Sequence, residues 1–373
     1  MRLQTLSIAQ FRNHDATVLS LGGGSHLFVG PNGSGKTNIL DAVCVLSLTQ
    51  SALGLSEDDL VQWEKQFYRV RAEAQSDSGD VQTLEVVCQQ EPKREKAAFK
   101  NDVRVSLRSL VGQIPTVVFL PSDLDLFTGS PANRRSFLDT LLCQVSGEYL
   151  AALSTFQKAL KQRGSLLRNI ADGYAQPDDL QPWDDQLAES GAVITQMRLE
   201  LIQTWNMAIL SEVQALGESW QEACIVYERS TNARLIPDLA EEFRRQHLAN
   251  RDRDILIGST TVGPHRDDWH VLIDGHALES SGSRGQQRTA LLALLFLQAG
   301  YLELRKGERP VILLDDVYSE LDTAHQKRVL SAFANHQVIL TGTHVPEGLP
   351  DELTIWEVQN GTVMKMGSVQ QVR

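Results

Sequence analysis

The chain contains 373 residues, of which 42% are hydrophobic and 22% are charged, and its formal net charge is −12. This composition excludes a wholly disordered chain, and no run of roughly 18 apolar residues predicts a transmembrane helix. The acidic balance argues against a uniformly basic, nucleic-acid-binding surface. The four cysteines are scattered without a CxxC pair, which indicates reduced thiols and a cytoplasmic location.

The first motif is a glycine-rich loop between an apolar segment and a helical one. Residues 26–29 predict a buried strand, GPNGSGKT follows, and residues 38–43 predict a helix. Strand, GxxxxGK[ST] and helix in this order are typical of a phosphate-binding P-loop. Lys36 is expected to reach the β- and γ-phosphates, and the Thr37 hydroxyl to bind Mg²⁺. The predicted nucleoside triphosphate site consists of Gly30, Pro31, Asn32, Gly33, Ser34, Gly35, Lys36, Thr37 and Asn38.

An apolar run that ends in two carboxylates follows much later in the chain. Residues 311–314 predict a central parallel strand, and Asp315 and Asp316 come directly after it. Because ligands bind at the carboxyl ends of such strands, we expect Asp315 to hold Mg²⁺ and Asp316 to orient or deprotonate the attacking water. Residues 337–342 predict another buried strand, after which His344 either contacts the γ-phosphate or is a surface-loop histidine.

A third motif, SRGQQR, starts at Ser283 and precedes a strongly apolar helical run. The Ser283 hydroxyl, the backbone at Gly285 and the positive end of the helix would together bind an anion. The same pattern is also that of an ordinary helix start with Ser283 as its N-cap.

The order of these motifs resembles the layout of ABC-type ATPase heads, with SELD at 319–322 in the place of their D-loop. LSIAQFRN at 6–13, followed by GPNGSGKTN, resembles the start of SMC-like DNA-repair heads. The chain is identified as a member of the RecF family because further blocks occur in that family's order. These blocks are VVFLPSDL at 117–124, PANRRSFLD at 131–139, GPHRDD at 263–268, SRGQQR at 283–288 and LLDDVYSELD at 313–322.

The resemblance implies an α/β fold, namely an ABC/SMC-like P-loop ATPase head with a mixed sheet and an inserted α-helical lobe, or short arm. It implies that Lys36 and Asp316 are catalytic, and that Arg12 and Asp123 lie near the nucleotide, the role of Asp123 being open. In such heads the signature contacts the γ-phosphate that a second protomer holds. The signature and D-loop residues implied here are Ser283, Arg284, Gly285, Gln286, Ser319 and Asp322.

The function that the resemblance implies is that of an ATP-dependent, DNA-binding recombination mediator with ATP and Mg²⁺ as cofactors. It implies a homodimer that forms on ATP at DNA gaps and at junctions of single- and double-stranded DNA, and weak, DNA-stimulated ATP hydrolysis. The implied partners are RecR with RecO, in recombinase loading, replication-fork repair and the SOS response. The resemblance implies no association with a membrane. The sequence does not indicate which residues contact DNA.

Three alternatives remain open. An ATP-binding subunit of a membrane transporter would carry an LSGGQ-type signature. An SMC-like nuclease would need a metal-binding module, and no strand followed by acidic residues is predicted between Ser146 and Asp254. A DNA scaffold would bind ATP without hydrolysing it.

The ATPase head is predicted to be built from both ends of the chain. It comprises residues 1–134, with the P-loop, and 255–373, with the signature and the acidic pair. Strands around Leu6–Ile8 and Val81–Cys88 predict an antiparallel section beside the parallel core.

The inserted arm is predicted at residues 135–254. Apolar residues recur there at spacings of three and four from Leu138 to Ala159, and a second run extends from Leu187 to Leu216. These spacings predict two antiparallel helices. Gly164 favours a bend or break in the first of them, since glycine disfavours a helix interior by about 1 kcal/mol relative to alanine.

Overall fold

The structure, a computed structural model, describes residues 1–317, 321, 323–346, 349 and 352–369, with the backbone alone at 323–324. The helices of the described chain are α1 (Lys36–Leu48), α2 (Glu57–Leu60), α3 (Leu107–Leu110), α4 (Pro131–Val145), α5 (Gly147–Ala171), α6 (Gln181–Asn206), α7 (Ile209–Ala215), α8 (Ile236–Ala249), α9 (Arg251–Ile257), α10 (Leu278–Ser281), α11 (Arg284–Lys306) and α12 (Thr323–Ala332). The strands are β1 (Arg2–Phe11), β2 (His14–Ser20), β3 (His26–Val29), β4 (Phe67–Gln75), β5 (Val81–Gln89), β6 (Glu95–Lys100), β7 (Val103–Val105), β8 (Thr116–Phe119), β9 (Ala223–Glu228), β10 (Asp268–Ile273), β11 (His276–Ala277), β12 (Val311–Leu314), β13 (Val338–Gly342), β14 (Thr354–Gln359) and β15 (Thr362–Ser368).

The chain divides into two compact units. Unit 1 comprises Met1–Leu124 and Arg288–Arg373, and unit 2 comprises Asp125–Gln287. The sequence predicts the boundaries after residues 134 and 254 instead. The first of these falls inside α4, and the second separates β9 from β10, which pair along their whole length. Helix continuity and strand pairing therefore keep both segments in unit 2.

Unit 1 contains two six-stranded sheets. One is antiparallel, with the order β2-β1-β4-β5-β6-β7, and it includes the two N-terminal strands predicted from the sequence. The other is mixed, with the order β15-β14-β3-β13-β12-β8. Its strands β14, β3, β13, β12 and β8 run parallel, whereas β15 pairs antiparallel with β14. The strands that lead into the P-loop and into the acidic pair therefore end at the same edge, with only β13 between them.

Helix α1 fills the space between the two sheets. Eleven of its thirteen residues are buried, and a helix that is buried on all sides must be covered by more than one element. Its residues share one hydrophobic core with Leu6 and Val70 of the antiparallel sheet and with Leu313 and Ile339 of the mixed sheet. Each such side chain contributes about 2 kcal/mol of burial free energy, so the helix that starts at the P-loop is rigidly held.

Unit 2 is helical, with a three-stranded sheet in the order β11-β10-β9. The first predicted arm helix is two helices, because the chain leaves the helical conformation at Ser146. The Ser146 hydroxyl accepts a hydrogen bond from the Tyr149 N–H and so caps α5. The second predicted run ends at Asn206, after which the short α7 follows.

The predicted break at Gly164 is wrong, because α5 continues through it to Ala171. The neighbouring Arg163 is fully buried, and it bonds to the carboxylates of Asp184 and Asp254 at 2.7 Å each. These ion pairs fix the middle of the helix and offset the cost of one glycine.

The insertion also contains a strand that the sequence analysis did not predict. Strand β9 ends at Glu228 and pairs antiparallel with β10. Its register depends on a strand some 40 residues further along the chain, as Ile225 is opposite Val271, and this pairing is invisible in a local pattern.

The GPHRDD segment is held within unit 2. Asp268 forms a two-fold ion pair with Arg134 at 2.7 Å, and Asp267 accepts a hydrogen bond from the Tyr227 hydroxyl at 2.9 Å. Burial raises the pKa of Asp267 to about 6. His265 lies 3.1 Å from the Thr260 carbonyl, and burial lowers its pKa to about 4. Gly263, Pro264 and Asp267 of the segment are buried in the lobe, whereas Arg266 is exposed.

Candidate nucleotide-binding site

The predicted P-loop connects β3 to α1, and its conformation requires glycine. Gly33 and Gly35 have φ values of 79° and 112°, which L-amino acids with a side chain rarely adopt. A Cβ atom at Gly30 would clash with the Val358 carbonyl oxygen. The loop therefore lies directly against β14 and turns its backbone toward the start of α1.

Two turns hold this loop from outside. Asn13, between β1 and β2, donates to the Ser34 carbonyl at 2.8 Å, and the Gly361 N–H, between β14 and β15, donates to the same oxygen at 2.9 Å. Asn13 also accepts a hydrogen bond from the Asn38 side chain at 2.8 Å. The loop is thus fixed by residues from both ends of the chain.

His14 lies between the same two turns and is fully buried. Its Nε2 atom is 3.0 Å from the Gly35 carbonyl oxygen, and its Nδ1 atom is 2.9 Å from that of Gly361. Burial lowers the pKa of His14, although both carbonyls raise it. Sequence analysis missed Asn13, His14 and Gly361. Asn13 and His14 directly follow the predicted Arg12, but Gly361 has no local signal.

Lys36 is a buried cation of the cleft. Its Nζ atom donates to the carbonyls of Gly30 and Pro31, at 2.8 and 2.9 Å, and the side chain is 7% exposed. Burial lowers the pKa of Lys36, whereas Asp316 and Asp315 raise it. An ammonium group that is bonded to its own loop is well placed to exchange these carbonyls for phosphate oxygens.

The first acid of the pair is bonded to hydroxyl groups from two other elements. Thr37 Oγ1 donates to both Asp315 carboxylate oxygens, at 2.9 and 3.0 Å, and Thr341 Oγ1 donates to one of them at 2.6 Å. Burial raises the pKa of Asp315. One hydroxyl and one carboxylate side by side are hard oxygen ligands of the kind that Mg²⁺ takes beside substrate phosphates. The described residues contain no cluster of three His, Cys, Asp or Glu that would hold a metal without such a substrate.

Asp316 lies beside this group in an uncommon conformation. Its φ is 45°, in the left-handed region, and its N–H donates to Thr341 Oγ1 at 2.9 Å. Strain of this kind concentrates at functional sites, because the surrounding structure must enforce it. The pairing of β12 with β13 thus brings Thr341 to the Asp316 N–H and fixes the backbone that carries the second acid.

A cleft of about 550 Å³ joins these groups, a size typical of small-molecule sites. Its lysine, loop N–H groups, hydroxyl and carboxylates fit a magnesium-bound polyphosphate. The sequence-predicted residues that line it are Arg12, Asn32, Gly33, Gly35, Lys36, Thr37, Asn38, Asp315 and Asp316. Trp63 and Val61, which sequence analysis missed, line it as well.

Other predicted residues are not brought to this cleft. Asp123 accepts a hydrogen bond from the Leu120 N–H at 2.8 Å, and burial raises its pKa to about 6. His344 is exposed, with its Nδ1 atom 3.1 Å from Thr343 Oγ1. Neither lines the cleft. Ser319 and Asp322 lie outside the described residues.

The signature segment forms the N-terminus of α11. The Ser283 N–H donates to Gln286 Oε1 at 2.8 Å, and the Gln286 N–H donates to Ser283 Oγ at 3.3 Å. This reciprocal pair is a capping box. Ser283, Arg284 and Gly285 are exposed. The segment is thus both a helix cap and a surface feature that a ligand can reach.

The fold and the cleft define a P-loop ATPase head of the ABC/SMC type. Residues 2–345 match the model of the RecF/RecN/SMC N terminal domain. The chain is 34% identical to the DNA replication and repair protein RecF of Heliobacterium modesticaldum. The aligned region covers 98% of this chain and 99% of that protein. The protein RecF of Halalkalibacterium halodurans is likewise 34% identical, over 98% of this chain and all of its own length. The chain belongs to the RecF family.

Solved structures agree with this assignment. The recombination mediator protein RecF of the RecFOR pathway, in its ATPrS and ATP forms, is 28% identical, with TM-scores of 0.91 and 0.90 over 98% of both chains. An Smc head bound to the C-winged helix domain of ScpA, at 13% identity and a TM-score of 0.55, shares the fold. Within the described residues, no helix has the length and apolarity needed to cross a bilayer.

Proposed function

We propose that this protein is an ATP-controlled, DNA-binding recombination mediator of the cytoplasm. The observation that carries the proposal is the hydrogen bond between Thr37 and Asp315, at 2.9 Å across 278 residues of sequence. It places a hydroxyl and a carboxylate together beside Lys36, as a magnesium-bound triphosphate requires. The solved relatives include a RecF with ATP, which supports ATP as the nucleotide.

Each residue of the cleft has a role in this proposal. Lys36 and the N–H groups of the P-loop hold the phosphates, while Thr37 and Asp315 hold Mg²⁺, which neutralises phosphate charge when it is bound. Asp316 orients or deprotonates the attacking water. Its side chain is one methylene shorter than the glutamate of transporter heads, so hydrolysis is slow, because general-base catalysis depends closely on geometry.

The exposed signature supports the proposal that ATP closes a homodimer. Ser283, Arg284, Gly285 and Gln286 of one protomer would bind the γ-phosphate held by its partner, and hydrolysis would release the pair. Ser319 and Asp322 are proposed as the D-loop. Unit 1 then acts as the head, and α5 and α6 of unit 2 as the short arm.

The proposed task of this dimer is to mark DNA gaps and junctions. On the resemblance to its relatives, we also propose contacts to duplex phosphates, stimulation of hydrolysis by DNA, and work with RecR and RecO in recombinase loading, fork repair and the SOS response. We expect DNA affinity to fall steeply with salt, since phosphate contacts release counterions. Titration of a labelled gapped duplex from 50 to about 200 mM salt checks this, and an unchanged affinity would contradict it.

Phosphate release by Asp316→Asn tests the enzymatic role. We expect hydrolysis to be lost while ATP binding is kept, because Thr37, Lys36 and Asp315 are unchanged. Asp58→Asn, which changes an exposed carboxylate outside the lining of the cleft, is the matched control and should hydrolyse ATP normally. If Asp316→Asn hydrolyses ATP at the wild-type rate, Asp316 is not the base. If the wild type binds ATP but never hydrolyses it, the alternative of a non-hydrolysing DNA scaffold is favoured.

Solution mass tests the dimer. Light scattering should show a dimer with ATP and Mg²⁺ and a monomer with ADP for the wild type. Ser283→Arg should stay monomeric with ATP, whereas Ser280→Arg, at an exposed serine of α10, should dimerise like the wild type. A Ser283→Arg protein that still dimerises would exclude the signature from the interface.

A further inference from the structure

A histidine lies under the P-loop, outside the lining of the cleft. His14 is fully buried, and a Cβ atom at Gly35 would come within 2.9 Å of its Nε2 atom. This nitrogen is 3.0 Å from the Gly35 carbonyl oxygen, and Nδ1 is 2.9 Å from the carbonyl oxygen of Gly361, in the turn between β14 and β15. Both ring nitrogens therefore face oxygen atoms that only accept hydrogen bonds.

Two acceptors at opposite nitrogens suit the protonated ring better than the neutral one. A neutral imidazole has a single N–H group, whereas an imidazolium has two. In either neutral tautomer, one nitrogen thus turns its lone pair toward a carbonyl oxygen at 3.0 Å or less. The Thr17 hydroxyl lies 3.1 Å from Nδ1 and also contacts the Gly361 oxygen at 3.3 Å, but it does not separate the two. Only the imidazolium satisfies both carbonyl contacts.

The charged groups on the elements around this ring have partners of their own. On β2, Asp15 pairs with Lys65 at 3.5 Å, and at the P-loop the Lys36 ammonium donates to loop carbonyls. On β14, Glu357 accepts a hydrogen bond from the Gln359 side chain at 2.6 Å. Among the described residues, the ring is bonded to the two carbonyls and one hydroxyl, and not to a carboxylate.

Burial therefore decides the charge of the ring in the absence of a ligand. It lowers the pKa of His14 from the ordinary 6.5, although the carbonyls of Gly35 and Gly361 raise it. Above pH 6.5 the ring is thus mainly neutral, and one of its two carbonyl contacts lacks a proton.

A polyphosphate at the loop changes this balance in two ways. Its negative charge favours the cationic form of a nearby group. In addition, the Gly35 carbonyl belongs to the same peptide unit as the Lys36 N–H. An imidazolium that donates to this oxygen polarises the peptide unit, so the Lys36 N–H becomes a stronger donor to a phosphate oxygen. Proton and nucleotide therefore strengthen each other's binding.

We propose that His14 is a positioning residue that takes up a proton when a nucleoside triphosphate binds, and that the imidazolium then ties the P-loop to the turn at Gly361. The proton comes from solvent and occupies the ring nitrogen that carries none. Because such a linkage is reciprocal, ATP should bind more tightly as the pH falls. The inference rests on the proposed function, since it requires a triphosphate at the P-loop.

Calorimetric titration of the full chain with ATP and Mg²⁺, in two buffers that differ in ionisation enthalpy, measures the proton uptake. Near pH 6.5 the wild type should take up more protons per ATP than His14→Gln, whose amide bonds to a carbonyl but is not protonated. Between about pH 8 and about pH 6, the ATP affinity of the wild type should rise about two- to fivefold relative to that of His14→Gln. The titration of MgATP itself is common to both proteins and cancels.

A matched variant separates this histidine from the others. His336→Gln changes another histidine of unit 1 whose pKa is lowered by burial, outside the lining of the cleft, and it should keep the proton uptake and pH profile of the wild type. Inorganic tripolyphosphate with Mg²⁺ should cause the same uptake as ATP in the wild type, because phosphates and not the base drive it.

The pH profile distinguishes proton uptake from a merely structural role. An ATP affinity that His14→Gln loses equally at both pH values, or equal proton uptake in the two proteins, would overturn the proposal. Nitrogen chemical shifts of the histidine rings give a second measurement on the wild type alone, in which ATP should convert one neutral ring to the doubly protonated form. Spectra without such a ring would overturn the proposal even if the variant does not fold. A wild type that binds neither ATP nor tripolyphosphate would instead overturn the proposed function itself.

Discussion

The buried cations of the two units differ in their bonding partners: those between the helices of unit 2 pair with carboxylates, whereas Lys36 at the cleft of unit 1 bonds to neutral carbonyls. In unit 2, Arg163 bonds to Asp184 and Asp254, and Arg198 bonds to Asp139, all through charged partners of the same lobe. In unit 1, the Lys36 ammonium donates to two backbone carbonyls instead. Buried charges that neutralise each other form a scaffold, whereas a buried cation on exchangeable carbonyls is ready for an anionic ligand.

The scaffold role predicts the largest effect. Arg163→Met should lower the free energy of unfolding by about 3–5 kcal/mol, because it leaves the buried Asp254 carboxylate without its cation and Asp184 with Arg251 alone. Urea denaturation measures this, and ATP affinity should change little. Arg244→Met is the control, since Arg244 is about one-third exposed in its pairs with Asp185 and Glu189, and it should cost less than about 1 kcal/mol. Equal costs for the two variants would contradict the comparison.

The opposite pattern is expected at the cleft. Lys36→Met should slow ATP hydrolysis by about 10²- to 10³-fold, because a preorganised charge at the phosphates is lost, while the unfolding free energy changes much less than in Arg163→Met. Steady-state phosphate release and urea denaturation on one preparation measure both quantities. Lys306→Met, in α11, should hydrolyse ATP like the wild type. A Lys36→Met protein that is active but unstable would place this lysine with the scaffold.

A histidine of unit 2 gives the scaffold a pH dependence. His247 is fully buried beside Phe243, and burial lowers its pKa to about 4 from an ordinary 6.5. As the pH falls below 6.5, the unfolded chain takes up a proton that the folded chain refuses until about pH 4, so stability is lost in this window.

His247→Leu should remove this loss. At pH 5 it should gain about 2 kcal/mol relative to the wild type, beyond any difference seen at pH 8. Urea denaturation of both proteins at the two pH values gives this difference directly, and other titrating groups cancel in it. Parallel pH profiles would show that His247 titrates normally.

The smallest effect is expected where neutral groups hold the P-loop. Asn13→Ala removes hydrogen bonds to the Ser34 carbonyl and the Asn38 side chain, which should weaken ATP binding by about fivefold, that is by about 1 kcal/mol. Calorimetric titration checks this, with Asn169→Ala on the exposed surface of α5 as the control. An unchanged affinity would show that Gly361 and His14 suffice to hold the loop.

Local patterns predicted residues far apart in the chain that the structure brings to one cleft. Lys36, Thr37, Asp315 and Asp316 all line one cleft, because the apolar runs before them form parallel strands that end at one edge. The arm was predicted less well. Its spacing of apolar residues continues across Ser146, but a capping hydroxyl outweighs that spacing and starts a new helix.

The sequence by itself determined the P-loop, the acidic pair and the signature as motifs, because each is a contiguous set of residues whose chemistry follows from their order. The order of these and further blocks along the chain determined the family. Only the tertiary structure decided that Asn13, His14 and Gly361 form hydrogen bonds to the P-loop. It alone also placed the exposed Trp63 at the cleft that holds the P-loop. It also decided that β9 pairs with β10 and keeps both in unit 2. These outcomes depend on contacts between residues far apart in the chain, and packing selects them through strand register and burial, which no local pattern records.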